Sequence, residues 1–355
     1  MTKEQLQQYA IDLLKQLIAI PSFSKEEDQT AAIIEKSLTD RGCKAYRHFN
    51  NIWATNKYFD ERKPTILLNS HHDTVKPNKG YTINPFAPIE KDGKLFGLGS
   101  NDAGGALVSI ISLFLYFYDK ENLKYNLVLG ISAEEEISGK NGVEALLSAL
   151  PPIDCAIVGE PTLLQMAIAE RGLMVLDCVT HGKAGHAARN EGDNAIYKAI
   201  ADINWIQNFQ FEKVSEFLGP VKMTVTSIET ENKAHNVVPS DCKFLIDVRL
   251  NELYSHEEVL ETIEKNLSST VEMRSDRLRS SMISLDHPLV KAGLNIGRTY
   301  YGSPTSSDKA LMPFPALKIG PGDSARSHSA DEFIFIEEIK EGIDLYIKLL
   351  QQVLI

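Results

Sequence analysis

TILLNSHHDTV, residues 65–75, joins a short apolar run to two histidines and an aspartate. The apolar part is typical of a strand that is buried on both faces, as in a parallel sheet. Open α/β sheets bind ligands at the carboxyl ends of their strands, where His71, His72 and Asp73 would lie. A short His/Asp cluster can also be an ordinary loop or a hydrogen-bonded surface group. A metal site is therefore a hypothesis whose other ligands must come from elsewhere in the chain.

Two further apolar runs also end in acidic residues. Residues 126–132 lead into three consecutive glutamates, residues 134–136, and residues 153–159 lead into Glu160. Any one of the three consecutive glutamates could be only a favourable charge at the start of a helix. Three strands that all end in metal-binding side chains nevertheless indicate a single site at one edge of a parallel sheet.

Asp102 lies between a glycine-rich stretch, residues 93–105, and the apolar run from Ala106 to Tyr118. An aspartate in front of a helix is commonly its N-cap. Gly104 and Gly105, however, let backbone or ligand approach closely, which a capped helix does not require. Asp102 is therefore a further candidate ligand. The apolar run is too short to cross a bilayer and predicts a buried helix.

The bulk properties narrow the classes of partner. At 355 residues the chain suits two domains, or one domain with a large insertion. The net charge of -11 and the lack of a Lys/Arg block argue against nucleic acid or an anionic membrane and leave a small polar substrate. The four cysteines have no CxxC spacing, as expected of free thiols in a reducing compartment. Residues 1–20 predict an amphipathic helix rather than a signal peptide, so we expect a cytoplasmic protein.

The sequence pattern changes at about residue 171. From there it reads strand, helix, strand, strand, helix, strand, which is the order of a ferredoxin-like unit with an antiparallel sheet. We therefore predict an α/β fold in which residues 1–170 and 282–355 form a catalytic domain. Residues 171–281 would form an inserted α+β domain.

The candidate site offers nitrogen and oxygen ligands and no thiolate. Such donors suit zinc, or cobalt and manganese by substitution, in a catalytic site with open positions. Two ions fit if one acid bridges them, and such a pair activates water and stabilises a developing oxyanion. A base is also needed, and chemistry alone does not decide which of Glu135 and Glu136 is the base and which the ligand. The candidate ligands are His71, Asp102, Glu136, Glu160 and His328, the last in a loop after the apolar run 316–320.

A series of motifs, spread in order over essentially the whole chain, resembles the co-catalytic zinc amidohydrolases. This family includes acetylornithine deacetylase, succinyl-diaminopimelate desuccinylase, aminoacylase, glutamate carboxypeptidase and tripeptidase. SHHDTV resembles the family motif H-x-D-x-V, GLGSNDAGG its glycine-rich motif, and AEEEISG its A-D/E-E-E-x-x-G motif. GEPT, HGKAGHA, NVVPSDCKFLIDVR and GPGDSARSHSADEF fit as well. The resemblance implies a zinc-peptidase-like catalytic domain with a mixed, largely parallel sheet flanked by helices, and a dimerisation (lid) domain inserted in it.

The resemblance also implies two zinc ions per subunit, which cobalt can replace. A cis peptide bond is implied between Asp102 and Ala103. The implied ligands of one ion are His71, Asp102 and Glu160, and those of the other are Asp102, Glu136 and His328, with Asp102 as the bridge.

The same resemblance resolves the order of the acidic run. Gly139 fixes its register, which makes Glu135 the general base and Glu134 a flanking acid. Asp73 would hold the other ring nitrogen of His71, a contact that fixes the tautomer of a ligating histidine.

Four more residues are implied to act on the substrate. His186 resembles the family histidine that reaches into the other subunit's active site and binds the scissile carbonyl oxygen. Asn236 and Arg249 match positions that contact the substrate, where Arg249 would pair with its α-carboxylate. Without the resemblance, His186 could equally be an ordinary surface histidine, Asn236 a turn asparagine and Arg249 a solvated strand arginine. Lys309 stands where desuccinylases have Arg and is a weaker partner for a succinyl carboxylate.

Two departures from the family pattern affect the prediction. Glu160 stands where aminopeptidase-like relatives have Asp, which favours the deacylase branches. His72 occupies a position often filled by threonine, and its role is left open.

We therefore predict a homodimeric, zinc-dependent deacylase of a small N-acyl amino acid. N-acetyl-L-ornithine or N-acetyl-L-citrulline, in arginine biosynthesis, is the first expectation. Glu135 would deprotonate the attacking water, while zinc and His186 stabilise the oxyanion. The alternatives are desuccinylation of N-succinyl-ornithine, N-succinyl-citrulline or N-succinyl-diaminopimelate, a metal dipeptidase, and a paralogue that binds metal without catalysis.

Overall fold

The computed structural model describes residues 1–189 and 191–355. The chain divides into two compact units. The first unit comprises Met1–Ile168, Ile283–Tyr301 and Ser307–Ile355, and the second comprises Ala169–Met282 and Gly302–Ser306. The predicted insertion, residues 171–281, lies within the second unit. Its role as a dimerisation domain stays a prediction.

Helices and strands are interspersed along the chain, with several runs of consecutive strands. The helices are α1 (Lys3–Ile18), α2 (Asp28–Thr39), α3 (Gly105–Phe117), α4 (Val143–Ala149), α5 (Ala195–Asn208), α6 (His256–Asn266), α7 (Pro288–Asn295) and α8 (Ile336–Leu354). The strands are β1 (Ala45–His48), β2 (Asn51–Thr55), β3 (Thr65–His71), β4 (Ile89–Lys91), β5 (Lys94–Phe96), β6 (Asn126–Ser132), β7 (Cys155–Val158), β8 (Met166–Glu170), β9 (Gly172–His181), β10 (Gly185–His186), β11 (Lys222–Glu229), β12 (Val237–Val238), β13 (Asp241–Leu250), β14 (Thr270–Met273), β15 (Ser281–Met282), β16 (Tyr300–Ser303), β17 (Ala316–Lys318) and β18 (Phe333–Phe335).

The first unit is built on a mixed sheet with the strand order β1-β2-β6-β3-β7-β17-β8. Its centre is parallel, because β3 pairs in parallel with β6 and β7, and β7 pairs in parallel with β17. Strands β1, β2 and β8 join it in antiparallel pairs. Every residue of β3 and β6 is buried, which explains their continuous apolar character. The predicted mixed, largely parallel sheet is confirmed.

Helix α3 is the buried helix that the apolar run predicts. It packs against α1, α8, β3 and β6. The window Ser100–Phe117 is long and apolar enough to cross a membrane by length and composition, but 83% of it is buried inside the protein. Such burial is typical of a core helix.

The second unit has an antiparallel sheet with the order β11-β13-β9-β14. Alternate residues of β9 and β13 are buried, and they share one apolar core with α5 and α6. One-sided burial of this kind gives the period-two pattern seen in the sequence. The unit is the predicted ferredoxin-like arrangement, with both helices packed into the same core.

Candidate di-metal centre

His71 is the last residue of β3, at the carboxyl end of the parallel sheet. Its side chain is buried, and its Nδ1 donates to the backbone carbonyl of Asp73 at 3.0 Å. This bond leaves Nε2 facing three carboxylates. Nε2 lies 3.4 Å from Asp102 Oδ1, 3.8 Å from Glu160 Oε1 and 3.9 Å from Glu135 Oε2. The strand therefore aims one imidazole nitrogen at a group of acids.

Asp102 lies between two histidines. Its Oδ1 faces His71, while its Oδ2 lies 3.7 Å from Nε2 of His328. The peptide bond between Asp102 and Ala103 is cis, as the resemblance implies. A carboxylate with one oxygen toward each histidine is placed as a bridging ligand would be.

Two groups of side chains are arranged as metal ligands. One is His71, Asp102 and Glu160, and the other is Asp102, Glu136 and His328. Within each group the ligand atoms lie within 4.8 Å of one another, and Asp102 belongs to both. The donors are imidazole nitrogens and carboxylate oxygens, which suit zinc or a similar divalent ion. The structure thus brings all five predicted ligands together, and their role as ligands stays a prediction.

The electrostatics of the group also favour bound cations. Burial raises the pKa of Glu160 to about 8, against the attraction of His71 and Lys318. Burial raises the pKa of Glu135 well above its usual value, and the neighbouring Glu160 adds to this shift. Clustered carboxylates resist ionisation when burial removes water and the like charges repel one another. Divalent ions at this place would supply the missing positive charge.

His328 completes the second group from an exposed loop. Its Nε2 lies 3.0 Å from Glu136 Oε2. Hydrogen bonding to Glu136 raises the pKa of His328 to about 9, with further attraction from Asp102. A metal ion would have to displace the proton that this pairing favours, so we expect metal binding to release protons.

Asp73 has a wider role than the predicted one. Its Oδ1 lies 3.5 Å from Nδ1 of His71, but the hydrogen bond of the ring goes to the Asp73 carbonyl. The two carboxylate oxygens accept the backbone N–H groups of Glu135 at 3.0 Å and Glu136 at 3.1 Å. Ser24 Oγ also donates to this carboxylate, at 2.7 Å. Asp73 therefore fixes both the histidine and the acidic turn.

The acidic turn separates its three glutamates. Glu134 has a left-handed backbone, with φ 53°, and its carboxylate accepts from Asn141 Nδ2 at 3.1 Å. Glu135 and Glu136 open a short 3-10 turn, and their backbone N–H groups point at Asp73. Glu136 reaches His328, whereas Glu135 lies near His71. The geometry agrees with Glu136 as a ligand and Glu135 as the base, and these roles stay predictions.

His72 points away from the ligand groups. Its Nε2–H donates to the carbonyl of Asn50 at 2.9 Å, and its Nδ1 accepts from Thr30 Oγ1 at 3.0 Å. Burial lowers the pKa of His72 to about 4. The ring is therefore a neutral link between the end of β3 and helix α2.

Three predicted substrate residues belong to the second unit. His186 and Asn236 are exposed on adjacent segments, since Ala187 N donates to the carbonyl of Asn236 at 3.0 Å. Arg249 lies on β13 and pairs with both carboxylate oxygens of Asp247, at 2.8 and 3.0 Å. A substrate carboxylate would have to share Arg249 with Asp247. Their contacts with substrate stay predictions.

Lys309 is bound within the protein and does not present its ammonium group to solvent. Its side chain is fully buried, and Nζ donates to the carbonyls of Ile168 at 3.0 Å and Ala167 at 3.4 Å. Its assignment to the substrate stays a prediction, which this geometry does not favour.

Two buried acids near the site were not singled out from the sequence. Asp308 accepts a short hydrogen bond from Ser132 Oγ, and burial raises its pKa to about 6. Glu332 accepts backbone N–H groups from the loop that carries Asp102. The only sequence signal for Glu332 is its place in the motif SHSADEF, four residues after His328.

Comparison with known proteins agrees with the geometry of the site. The model of peptidase family M20/M25/M40 matches residues 67–352. A succinyl-diaminopimelate desuccinylase of Rickettsia bellii (strain OSU 85-389) is 26% identical over an alignment of 380 positions, gaps included, which covers 96% of this chain and 96% of the relative.

Solved structures share the fold. An M20 family metallo-carboxypeptidase from Sulfolobus solfataricus has a TM-score of 0.76 at 17% identity and covers 97% of this chain and 99% of its own. A dinuclear metal binding peptidase of the M20 family from Bacillus subtilis has a TM-score of 0.73 at 16% identity and covers 98% of both chains. Because the family model spans most of its length, this chain belongs to peptidase family M20/M25/M40 and is a metal-dependent hydrolase of amide bonds.

Proposed function

We propose that this enzyme hydrolyses the amide bond of an N-succinyl amino acid at a centre that holds two metal ions. The observation that supports this most strongly is the pair of ligand groups that share Asp102, with the partly buried Glu135 beside them. The succinyl group is chosen because the relatives that match over nearly the whole chain are named succinyl-diaminopimelate desuccinylases. The acetylornithine or acetylcitrulline substrate expected from the motifs has no such support.

The residues present fit the metals that this activity needs. In the proposal, zinc is held by His71, Asp102 and Glu160 in one position and by Asp102, Glu136 and His328 in the other. Cobalt is the expected substitute, since it accepts the same nitrogen and oxygen donors. When bound, the ions polarise the substrate carbonyl and make water a stronger nucleophile.

Glu135 is proposed as the general base. Its burial and the raised pKa keep it able to accept a proton from water and to return that proton to the departing amine. Asp73 holds the backbone of Glu135, so the carboxylate is presented from a fixed turn.

The second unit is proposed to supply substrate contacts. His186 would bind the carbonyl oxygen in the active site of a partner subunit, and Asn236 and Arg249 would bind the amino-acid half. The exposure of His186 and Asn236 on adjacent segments is compatible with this role. The proposal includes a homodimer, because His186 would act across subunits.

The proposed setting is cytoplasmic amino-acid biosynthesis. The four cysteines are free and buried, which suits a reducing compartment. The desuccinylase relatives favour biosynthesis over peptide breakdown, without pointing to arginine.

The test is a substrate panel with the zinc-loaded enzyme. N-succinyl-L,L-diaminopimelate, N-succinyl-ornithine and N-succinyl-citrulline are compared with N-acetyl-ornithine, N-acetyl-citrulline and dipeptides. We expect the highest kcat/KM on a succinylated amino acid. A higher kcat/KM on an acetylated amino acid or a dipeptide would overturn the choice of acyl group.

A further inference from the structure

Glu332 is a buried acid whose carboxylate accepts three backbone N–H groups. It is 2% exposed. Oε2 accepts the N–H of Gly99 at 2.9 Å, and Oε1 accepts the N–H groups of Asn101 at 2.8 Å and Asp102 at 2.9 Å. All three donors belong to the loop that places the bridging aspartate. A carboxylate can accept several such bonds because it carries four lone-pair positions.

Glu332 also lies on the segment that carries another ligand. It follows His328 by four residues, and its own carbonyl accepts the N–H of Gly97 at 3.0 Å. One residue therefore joins the loop of Asp102 to the segment of His328. Both ligands belong to the group formed with Glu136, and the Asp102 Oδ2 and His328 Nε2 atoms lie only 3.7 Å apart.

The loop of Asp102 is also held by a second link, which does not involve Glu332. Asn101 makes a second link, since its side chain donates to the carbonyl of Asp323 and accepts the N–H of the same residue, both at 3.0 Å. This second link would remain when Glu332 is changed. Loss of the Glu332 carboxylate should therefore affect the position of Asp102 more than the fold.

We propose that Glu332 is a positioning residue that sets the affinity of the metal position formed by Asp102, Glu136 and His328. It holds the backbone of Asp102 at the point from which the side chain reaches both histidines. The inference rests on the proposed function, because it takes these residues as ligands. Residues that orient ligands without touching the ion typically change metal affinity 10- to 100-fold when they are mutated.

The decisive variant is Glu332→Gln. It keeps the shape of the side chain but replaces one carboxylate oxygen with an NH₂ group. Both oxygens of Glu332 accept backbone N–H groups, so the NH₂ group would face an N–H donor and that hydrogen bond would be lost. Asp331→Asn is a matched control. Asp331 is the preceding residue, and its carboxylate also accepts backbone N–H groups, from Thr82 at 2.8 Å and Ile83 at 3.2 Å, but neither donor lies on a ligand loop.

The experiment titrates the metal-free full chain with Co(II) and follows calorimetry and visible absorption. Wild type and Asp331→Asn should bind two ions with the same affinities. Glu332→Gln should bind one ion as wild type does and the other about 10- to 100-fold more weakly, with a changed absorption spectrum. Circular dichroism and thermal unfolding verify that each variant is folded. If Glu332→Gln does not fold, Glu332→Asp replaces it, because its carboxylate is drawn back by one methylene and the same loss is expected.

Two results would overturn the inference while leaving the proposed function intact. The first is the finding that Glu332→Gln binds both ions with the affinities and the absorption spectrum of wild type. The other is an equal loss in Asp331→Asn, which would make the effect a general one of this segment. A folded wild type that binds no Co(II) would instead overturn the proposed function.

Discussion

Glu134 and Glu135 are neighbours in sequence but have different surroundings. Asn141 donates to the carboxylate of Glu134 through its side chain, at 3.1 Å. The carboxylate of Glu135 lies 3.9 Å from Nε2 of His71, and burial raises its pKa. Of these two glutamates, Glu135 is therefore the one that we propose exchanges a proton with water beside the ligand groups.

Glu135→Gln should therefore retain both metal ions and lose turnover. Gln has the same shape but cannot take a proton, and general bases contribute roughly 100- to 10,000-fold to rates. The measurement is kcat together with metal content by elemental analysis. Glu134→Gln is the control and should stay within a few-fold of wild type. Wild-type turnover in Glu135→Gln would contradict the assignment of the base.

At the residue scale, the candidate ligands are easier to identify in the sequence than the residues that hold them in place. His71, Asp102, Glu136, Glu160 and His328 all stand at strand ends or in motifs, so their chemistry is visible in the chain. Glu332 and the carboxylate of Asp73 act on backbone N–H groups, and such bonds leave no pattern in the sequence. His72 shows that the residue type alone can also mislead. Its side chain could bind a metal, but its ring hydrogen-bonds to Thr30 and Asn50 instead.

The acidic turn after β6 is the element on which the base depends. Two of its backbone N–H groups, those of Glu135 and Glu136, are both accepted by the carboxylate of Asp73, which follows β3. Two neighbouring parallel strands thus cooperate, one supplying the turn and the other the carboxylate that fixes it.

Asp73→Asn should lower kcat by about 10- to 100-fold, in the range seen for residues that orient ligands. In Asp73 each carboxylate oxygen accepts one backbone N–H group, from Glu135 or from Glu136. The asparagine amide has only one acceptor oxygen, so one of these two hydrogen bonds would be lost. Steady-state kinetics and metal content measure the effect. Asp154→Asn makes the same substitution at the amino end of β3, where Asp154 accepts the N–H of Thr65 at 2.8 Å, and should leave kcat unchanged. Equal rates for Asp73→Asn and wild type would show that the turn holds its shape without this carboxylate.

At the element scale, the long buried strands were predictable from their continuous apolar runs, and the amphipathic helices from their periodicity. The small sheet β18-β5-β4 was not predicted. Each of its strands has three residues, which is too short for a period-two pattern. Strands β4 and β5 pair locally across Asp92 and Gly93, whereas β18 pairs with β5 from more than 200 positions away. Tertiary contact, and not local preference, adds β18 to the sheet.

For the whole molecule, both units bury their thiols. Burial raises the pKa of Cys43 to about 11 and the pKa values of Cys155 and Cys178 to about 12, and it also raises that of Cys242. A raised pKa keeps a thiol protonated at pH 8, and the protonated form is not the nucleophile.

Ellman's reagent at pH 8 should therefore react slowly with the native chain and should detect four thiols after denaturation in guanidinium chloride. Free N-acetylcysteine serves as the reference for an exposed thiol. Rapid reaction of any thiol in the native protein would contradict the burial described for that cysteine.

The site as a whole could be predicted only in part. Its ligands run from His71 to His328, and the sequence alone does not say that these segments meet. The parallel sheet brings together the ends of β3, β6 and β7, which lead to His71, Glu136 and Glu160, and the loop before α3 adds Asp102 as the fourth candidate ligand. His328 was a candidate because its loop follows the apolar run 316–320, and the family resemblance implied its grouping with Asp102 and Glu136.

The central claim is that two metal ions held by these five side chains carry out amide hydrolysis. The most direct test removes metal with a chelator, titrates zinc back, and records bound ions and hydrolysis of N-succinyl-L,L-diaminopimelate in the same samples. We predict no hydrolysis without metal, restored hydrolysis on addition of zinc, and two ions per chain at saturation. Full hydrolysis by the metal-free protein, or a folded protein that binds no zinc, would contradict the claim.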